Sequence, residues 1–220
     1  MYHLKVNSLN SNDPLFTKLQ DGENVLIVPD ARVGKEYFSN GIYERFFIKW
    51  ACETYANPEK ECVDIGARIG LFTVELGKLA KRVHSFEFSP KNYNYLCTNV
   101  LVRDLSHRVT TYPAALSDQF GNDTSNNPVT TLDSFQLKNI NFIKIDVEGR
   151  EENVLRGAVD TIRRNDHPPI LFESWPERYM DAAAREKRTS LFSFLDSIGY
   201  VVQKIHKGAG EMSLATKKNM

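Results

Sequence analysis

Val63-Asp64-Ile65-Gly66-Ala67-Arg68-Ile69-Gly70 is the stretch that decides the fold of this 220-residue chain. An apolar run ends in Asp64, turns through Gly66, Ala67 and Arg68, and enters a helix at Gly70-Leu71-Phe72. Small residues at such a strand–turn–helix junction let a ligand approach the backbone. The glycine spacing is G-x-x-x-G. A dinucleotide pyrophosphate calls instead for G-x-G-x-x-G, with bare amides at a helix N-terminus and a third glycine for close packing. Here a carboxylate, Asp64, stands at the strand end, which suits a cationic or zwitterionic ligand.

A second strand, Val83-His84-Ser85-Phe86-Glu87-Phe88-Ser89-Pro90, ends in an acid 23 residues beyond Asp64. An acid about 20 residues past the glycine turn falls at the tip of the neighbouring parallel strand, where it can accept both ribose hydroxyls of an adenosine. The plainer reading of Glu87 is a surface acid ahead of the helix that Ser89-Pro90 starts. A third strand with a charged end is Phe142-Ile143-Lys144-Ile145-Asp146-Val147-Glu148-Gly149. Open α/β sheets bind ligands beyond the carboxyl ends of their strands, so Asp146 and Glu148 are expected to converge on the pocket of Asp64 and Glu87.

With Gly41-Ile42-Tyr43-Glu44, Thr130-Thr131-Leu132-Asp133-Ser134, Val154-Leu155-Arg156-Gly157-Ala158 and Pro169-Ile170-Leu171-Phe172-Glu173, these segments span most of residues 40–205. Together they resemble the FkbM family of S-adenosylmethionine-dependent O-methyltransferases. The glycine turn is generic to such enzymes; the Lys-Ile-Asp-Val-Glu-Gly run followed by Val-Leu-Arg-Gly-Ala is far more particular. The resemblance implies a Rossmann-like class I methyltransferase fold and S-adenosyl-L-methionine as cofactor. It also implies an acceptor hydroxyl on a sugar, glycan or secondary metabolite. The implied cofactor contacts are Asp64, Gly66, Ala67, Arg68, Gly70, Glu87, Phe88, Ala115, Leu116 and Asp146. One departure is Arg68, where the family usually has Asn; its long cation is expected to turn to solvent or to substrate.

A sulfonium methyl is already electrophilic, so the enzyme's main task is to align an acceptor oxygen behind it. An aliphatic hydroxyl gains from a base within hydrogen-bond reach by about 10²–10⁴-fold. The candidate catalytic carboxylates are Asp146, Glu148 and Glu173. Asp146 could equally orient the cofactor's amino group, and Glu148 could cap the following helix. Lys144, inside its strand, reads as a snorkelling or ion-paired lysine. His84 precedes the tip of the second strand and is expected to point away from the pocket, His107 and His206 lie in loop-like sequence, and none of the five histidines is the first choice as base. Tyr43 and Trp175 are the aromatic candidates for acceptor contact, with Tyr37 nearby. Clustered acids such as Asp146, Glu148 and Glu173 could hold a divalent cation, but they are equally expected around a metal-free sulfonium site, and no metal is expected.

Lys+Arg and Asp+Glu both number 28, giving a formal net charge of zero. No long-range field therefore draws the chain to nucleic acid or to an anionic membrane. Cys52, Cys62 and Cys97 lack metal-ligand spacing and read as reduced thiols in a cytosol-like compartment, with Cys62 in the core. No apolar stretch is long enough for a signal peptide or a membrane span, so a cytoplasmic enzyme is expected.

The chain reads as one methyltransferase domain, 1–220, with residues 1–56 as an N-terminal cap or lid and 57–220 as the core. Within the first segment a strand is expected at Val25–Val28 and a helix over 41–56. Strands follow at 61–65, 83–88, 109–114, 142–146 and 170–173, with helices at 70–80, 90–103, 151–164 and 185–197. A polar loop covers 116–127, and two C-terminal strands around Lys207-Gly208-Ala209-Gly210 form a hairpin. This order predicts an α/β fold with a doubly wound, mostly parallel sheet and an antiparallel C-terminal hairpin.

Two rival functions are weaker. Base methylation of nucleic acid needs an Asn/Asp-Pro-Pro-aromatic turn where this chain has Asp146-Val147-Glu148-Gly149, and ribose 2′-hydroxyl methylation needs a lysine-rich set and a basic groove. A non-catalytic cofactor-binding domain is disfavoured by the intact acids and glycines at three strand ends. The acceptor is therefore expected to be a small molecule or glycan, with no nucleic-acid partner.

Overall fold

The computed structural model describes residues 15–18, 25–28, 45–123, 126–173, 180–207 and 210–219. Five parallel strands form its centre: β3 (Glu61–Ile65), β4 (Arg82–Phe86), β5 (Val109–Tyr112), β9 (Ile140–Ile145) and β10 (Ile170–Glu173). Two longer strands, β11 (Tyr200–Lys207) and β12 (Gly210–Lys217), pair antiparallel, and β12 also pairs antiparallel with β10. The order across the sheet is β5-β4-β3-β9-β10-β12-β11. Apart from it, β1 (Leu15–Lys18) and β2 (Val25–Val28) form a small antiparallel pair. The chain runs outward from β3 to β5 and then returns to lay β9 against the other side of β3. That reversal opens a crevice at the carboxyl ends of β3 and β9.

Both faces of the sheet are covered, which is why β3 and β9 read as nearly continuous apolar runs. Alternation still sorts their side chains. Val63, Ile65, Ile143 and Ile145 pack with residues of α4 (Glu151–Arg156), α5 (Val159–Arg164) and α6 (Ala182–Ser197). Cys62 and Phe142 meet the opposite layer, α1 (Arg45–Tyr55), α2 (Leu71–Leu79) and α3 (Pro90–Leu101). Phe72, Leu76 and Leu96 are among the side chains buried there, each stabilising by roughly 1.5–3 kcal/mol. Ser89 starts α3 by accepting from the Asn92 N–H, with Pro90 in the first turn, and Asp181 caps α6 at the Ala184 N–H. Burial pushes the Cys62 thiol up to about 12 and raises Cys52 as well, so both act as small apolar core groups.

Three sequence expectations change. Pro113 lacks the N–H that a longer strand would need, so β5 ends at Tyr112 and not at 114. The segment 116–127, expected as a polar loop, contains strand residues: β6 (Ala115–Leu116), β7 (Gly121–Asn122) and β8 (Pro128–Thr130) form a small sheet of order β6-β8-β7. The single helix expected over 151–164 is divided into α4 and α5 at Gly157-Ala158. A Cβ on Gly157 would lie 1.9 Å from the Ser117 carbonyl oxygen, and the Gly157 carbonyl accepts from the Asp133 N–H at 3.0 Å. The Asp133 carboxylate then starts α5 afresh by accepting from the N–H groups of Asp160 and Thr161.

His84 lies across β4 with its Nε2 2.8 Å from Glu61 Oε2 and its Nδ1 3.1 Å from the Tyr112 hydroxyl. Burial lowers its pKa from the ordinary 6.5, and the Glu61 contact opposes that shift without reversing it. The unfolded chain therefore takes up this proton first on acidification. The stability His84 contributes is full above pH 6.5 and is lost as the pH falls through its folded value. Ring NMR signals of His84 are expected to titrate below 6.5; a midpoint at or above that value would show the burial to be overcome by Glu61.

Candidate functional site

The turn after β3 is pinned from both sides. Gly66 N–H and Ala67 N–H both donate to the Phe86 carbonyl at 3.0 Å, and Asp146 N–H donates to the Ile65 carbonyl at 3.0 Å. Asn99 of α3 donates to the Ile69 carbonyl at 2.8 Å. The carboxyl ends of β3, β4 and β9 are thus locked together by backbone bonds, and each bears an acid.

Asp64 is wholly buried. Its Oδ2 accepts from Thr73 Oγ1 at 2.6 Å, and Thr73 continues to Ser85 Oγ at 2.9 Å. Its Oδ1 lies 3.4 Å from Lys144 Nζ and accepts no hydrogen bond from the described residues. The same ammonium is 3.5 Å from Asp146 Oδ2 and donates to the Gly66 carbonyl at 3.1 Å. Lys144 is only 4% exposed, so the ion-paired reading of this lysine is the one the structure shows. Asp146, two residues on along the same face, remains half-buried.

Glu87 follows β4 and is also buried. Its Oε2 accepts from the Arg68 N–H and its Oε1 from the Ser89 N–H, both at 2.8 Å. Burial raises its pKa, against the lowering effect of those two donors. Phe88, next in sequence, exposes 58% of its surface beside this acid. Ala67 is buried, Ala115 is half-buried and Leu116 is buried in β6.

Gly66 and Gly70 have a structural reason besides ligand access. Gly66 adopts φ +74°, and a Cβ there would lie 1.8 Å from the Asp146 carbonyl oxygen. Gly70 adopts φ +92°, and a Cβ there would lie 2.8 Å from Leu96 Cδ1. Arg68 is exposed and has φ +53°, a left-handed conformation that Asn tolerates far better than Arg. Arg68→Asn is accordingly expected to raise stability by roughly 0.5–1 kcal/mol, read as a higher denaturant midpoint at unchanged slope. An unchanged midpoint would mean that the Arg68 side chain offsets its backbone strain.

Glu148 and Glu173 stand elsewhere. Both line a cavity of about 510 Å³ between the end of β10, the start of α4 and the first half of α6, with Phe172, Leu191 and Phe192 as its apolar part. Glu148 is exposed and has φ +55°. The expectation that Asp146 and Glu148 share one pocket with Asp64 and Glu87 therefore divides: Asp146 joins Asp64 through Lys144, whereas Glu148 lines the neighbouring cavity. Tyr37, Tyr43 and Trp175 lie outside the described residues. Among the described residues no three His, Cys, Asp or Glu side chains are grouped to hold a metal ion.

Two groups are not evident from the sequence. Glu151 is 6% exposed and its Oε1 accepts from the N–H groups of Val147 and Gly149, which fixes the loop that presents Glu148. Its only signal is an acid at the head of an apolar helical run. Thr73 carries none, because its role depends on α2 crossing β3 at Asp64.

A reversing parallel sheet with acids at three adjacent strand ends is the arrangement of a Rossmann-like class I methyltransferase. The model of the methyltransferase FkbM domain matches residues 64–202, and the chain belongs to that family. Its cofactor is accordingly S-adenosylmethionine. The buried, incompletely bonded Asp64 and the acid at Glu87 suit such a cation with ribose hydroxyls. No curated protein matches the sequence significantly.

Among solved structures, the methyltransferase FkbM from Methylobacillus flagellatus KT is 20% identical with a TM-score of 0.58, over 72% of this chain and 44% of that one. This chain thus spans less than half the length of that protein. Precorrin-6y C5,15-methyltransferase from Geobacter metallireducens GS-15 is 15% identical with a TM-score of 0.57, over 82% and 93%. A candidate methyltransferase from Streptococcus mutans, solved in complex with SAH, is 10% identical with a TM-score of 0.57, over 79% and 96%. At these identities the likeness shows the fold.

Proposed function

We propose that the chain is an S-adenosylmethionine-dependent O-methyltransferase acting on a hydroxyl of a sugar, glycan or related small molecule. The observation that supports this most is the meeting of Asp64, Glu87 and Asp146 at the ends of β3, β4 and β9, in a chain of the FkbM family. In this reading Glu87 receives the ribose hydroxyls, and Asp146 faces the cofactor's cationic end with the buried charge of Asp64 behind it. Gly66, Ala67, Arg68 and Gly70 shape the turn beneath it, and Phe88, Ala115 and Leu116 border the adenine side. When bound, the cofactor supplies an electrophilic methyl group.

The acceptor lies in the cavity beside Glu148 and Glu173, where apolar side chains meet carboxylates. That mixture suits a sugar, whose hydroxyls donate to carboxylates while its C–H face packs on apolar surface. A cavity of about 510 Å³ is within the usual range for small-molecule sites. In this reading a carboxylate there takes the hydroxyl proton as the oxygen attacks in line, and that role is assigned to Glu148, which is exposed at the cavity wall. The zero net charge argues against a polyanionic acceptor.

Transfer of a labelled methyl group to a panel of glycosides, a polyketide-type alcohol and RNA tests the reading. Labelling of a glycoside hydroxyl is expected. Labelling of the alcohol alone would replace the acceptor class; labelling of RNA alone would replace the function. Cofactor binding with no transfer to any acceptor would favour a non-catalytic domain.

A further inference from the structure

Lys144 is an unusual choice for the middle strand of a sheet covered on both faces. It stands opposite Asp64 in the β3–β9 register, is almost fully buried, and its ammonium lies 5.5 Å from the centre of the Phe72 ring. A buried ammonium is tolerated only with close partners. Its partners include two in the stretch that closes β3, the Asp64 carboxylate and the Gly66 carbonyl two residues on, and a third, the Asp146 carboxylate, just beyond β9. Those segments frame the crevice assigned above to the cofactor.

We propose that Lys144 is a positioning residue for cofactor recognition: by pairing with both carboxylates it holds Asp64 and Asp146 at fixed separation, so that a cationic ligand meets a preformed anionic wall. The inference rests on the cofactor assignment of this crevice. A merely structural lysine would support folding and leave ligand binding insensitive to protons. A positioning lysine has a further signature. Without its cation, Asp64 is a buried carboxylate whose remaining hydrogen-bond donor among the described residues is the Thr73 hydroxyl, and in the variant it is expected to take up a proton. Binding a cation then requires that proton to leave.

Other titratable groups nearby do not mimic this signature. Glu87 is set between two backbone donors, and Cys52, whose thiol is raised by burial and by Asp64 among others, stays neutral. Both are present in wild type and variant; Asp146, which loses the same cation as Asp64, is the other carboxylate that the substitution reaches.

The test is calorimetric titration of the wild-type chain and Lys144→Met with S-adenosylmethionine, which carries the sulfonium charge, between pH 6 and 8, in buffers of differing ionisation enthalpy. Lys144→Met is expected to bind more weakly at neutral pH. Its affinity should recover by up to about tenfold per pH unit relative to wild type, with close to one additional proton released. Equal affinity and equal proton release in the two proteins would overturn the proposal.

If Lys144→Met does not fold, the pair Asp64→Asn/Lys144→Met, which removes the buried acid together with its cation, takes its place. That variant is expected to fold and to bind at least about tenfold more weakly, with no added pH dependence; wild-type affinity in it would overturn the proposal. A wild-type chain that fails to bind S-adenosylmethionine removes the cofactor assignment of this crevice and this inference with it. Binding by wild type with unchanged variants removes this inference alone.

Discussion

Gly66→Ala is expected to lower the melting temperature by roughly 10 °C or more, or to prevent soluble folding. Two effects add. The backbone at Gly66 has φ +74°, which costs any residue with a Cβ about 1 kcal/mol. The greater cost is steric, because the added carbon would lie 1.8 Å from the Asp146 carbonyl oxygen, an atom of the main chain that no rotamer change can move. Relief requires the ends of β3 and β9 to part. Parting would break the bond from Asp146 N–H to the Ile65 carbonyl and disturb the Lys144 ion pairs. A loss of roughly 4 kcal/mol or more follows, and for a chain of this size each kcal/mol lowers the melting temperature by about 2–4 °C.

Gly149→Ala is the matched control. Gly149 has φ +87°, but none of the described residues comes within 4 Å of a Cβ there. It is expected to cost only about 1 kcal/mol of backbone strain. Thermal melts of the two variants side by side check the argument. Similar melting temperatures would mean that strand contact at Gly66 contributes little, and that this glycine serves the ligand alone.

The contrast bears on what a sequence can reveal. Asp64, the glycine turn, Glu87 and the apolar runs were legible because each is local: a strand end, a turn and a spacing along one chain segment. The doubly wound order followed from alternation of strands and helices, and the C-terminal hairpin from Gly208 and Gly210 between two apolar runs. The small sheet of β6, β7 and β8 was not legible, since strands of two or three residues have too little length to show a period. The break at Gly157 was hidden for a different reason. Its cause is Ser117, 40 positions away in sequence, pressing on the helix. At the site, the same limit applied to the acids. Asp146 and Glu148 lie two residues apart and were expected in one pocket, yet Glu148 and Gly149 both adopt left-handed backbone just past Asp146. Only the crossing of β9, β10 and α6 shows that Asp146 belongs with Lys144 and Glu148 with the neighbouring cavity.

That division predicts opposite kinetic signatures for two conservative substitutions. Asp146→Asn removes a charge that already faces Lys144 Nζ at 3.5 Å. Its effect should fall on cofactor affinity, weakened by roughly 1–3 kcal/mol for a charge-assisted contact. Turnover at saturating cofactor should change far less. Glu148→Gln preserves size and polarity but cannot accept the hydroxyl proton. Turnover is expected to fall by about 10²–10⁴-fold, with cofactor affinity close to wild type. Glu173→Gln belongs in the same experiment, because Glu173 lines the same cavity, half-buried at the end of β10. Its expected effect is smaller and mainly on acceptor KM, since the Glu148 carboxylate would still be present to take the proton. Affinity comes from titration with S-adenosylhomocysteine and turnover from labelled methyl transfer, so the two readouts are independent. If Asp146→Asn instead kept full affinity and lost turnover, the base would be Asp146, and Glu148 would serve the acceptor only as a wall.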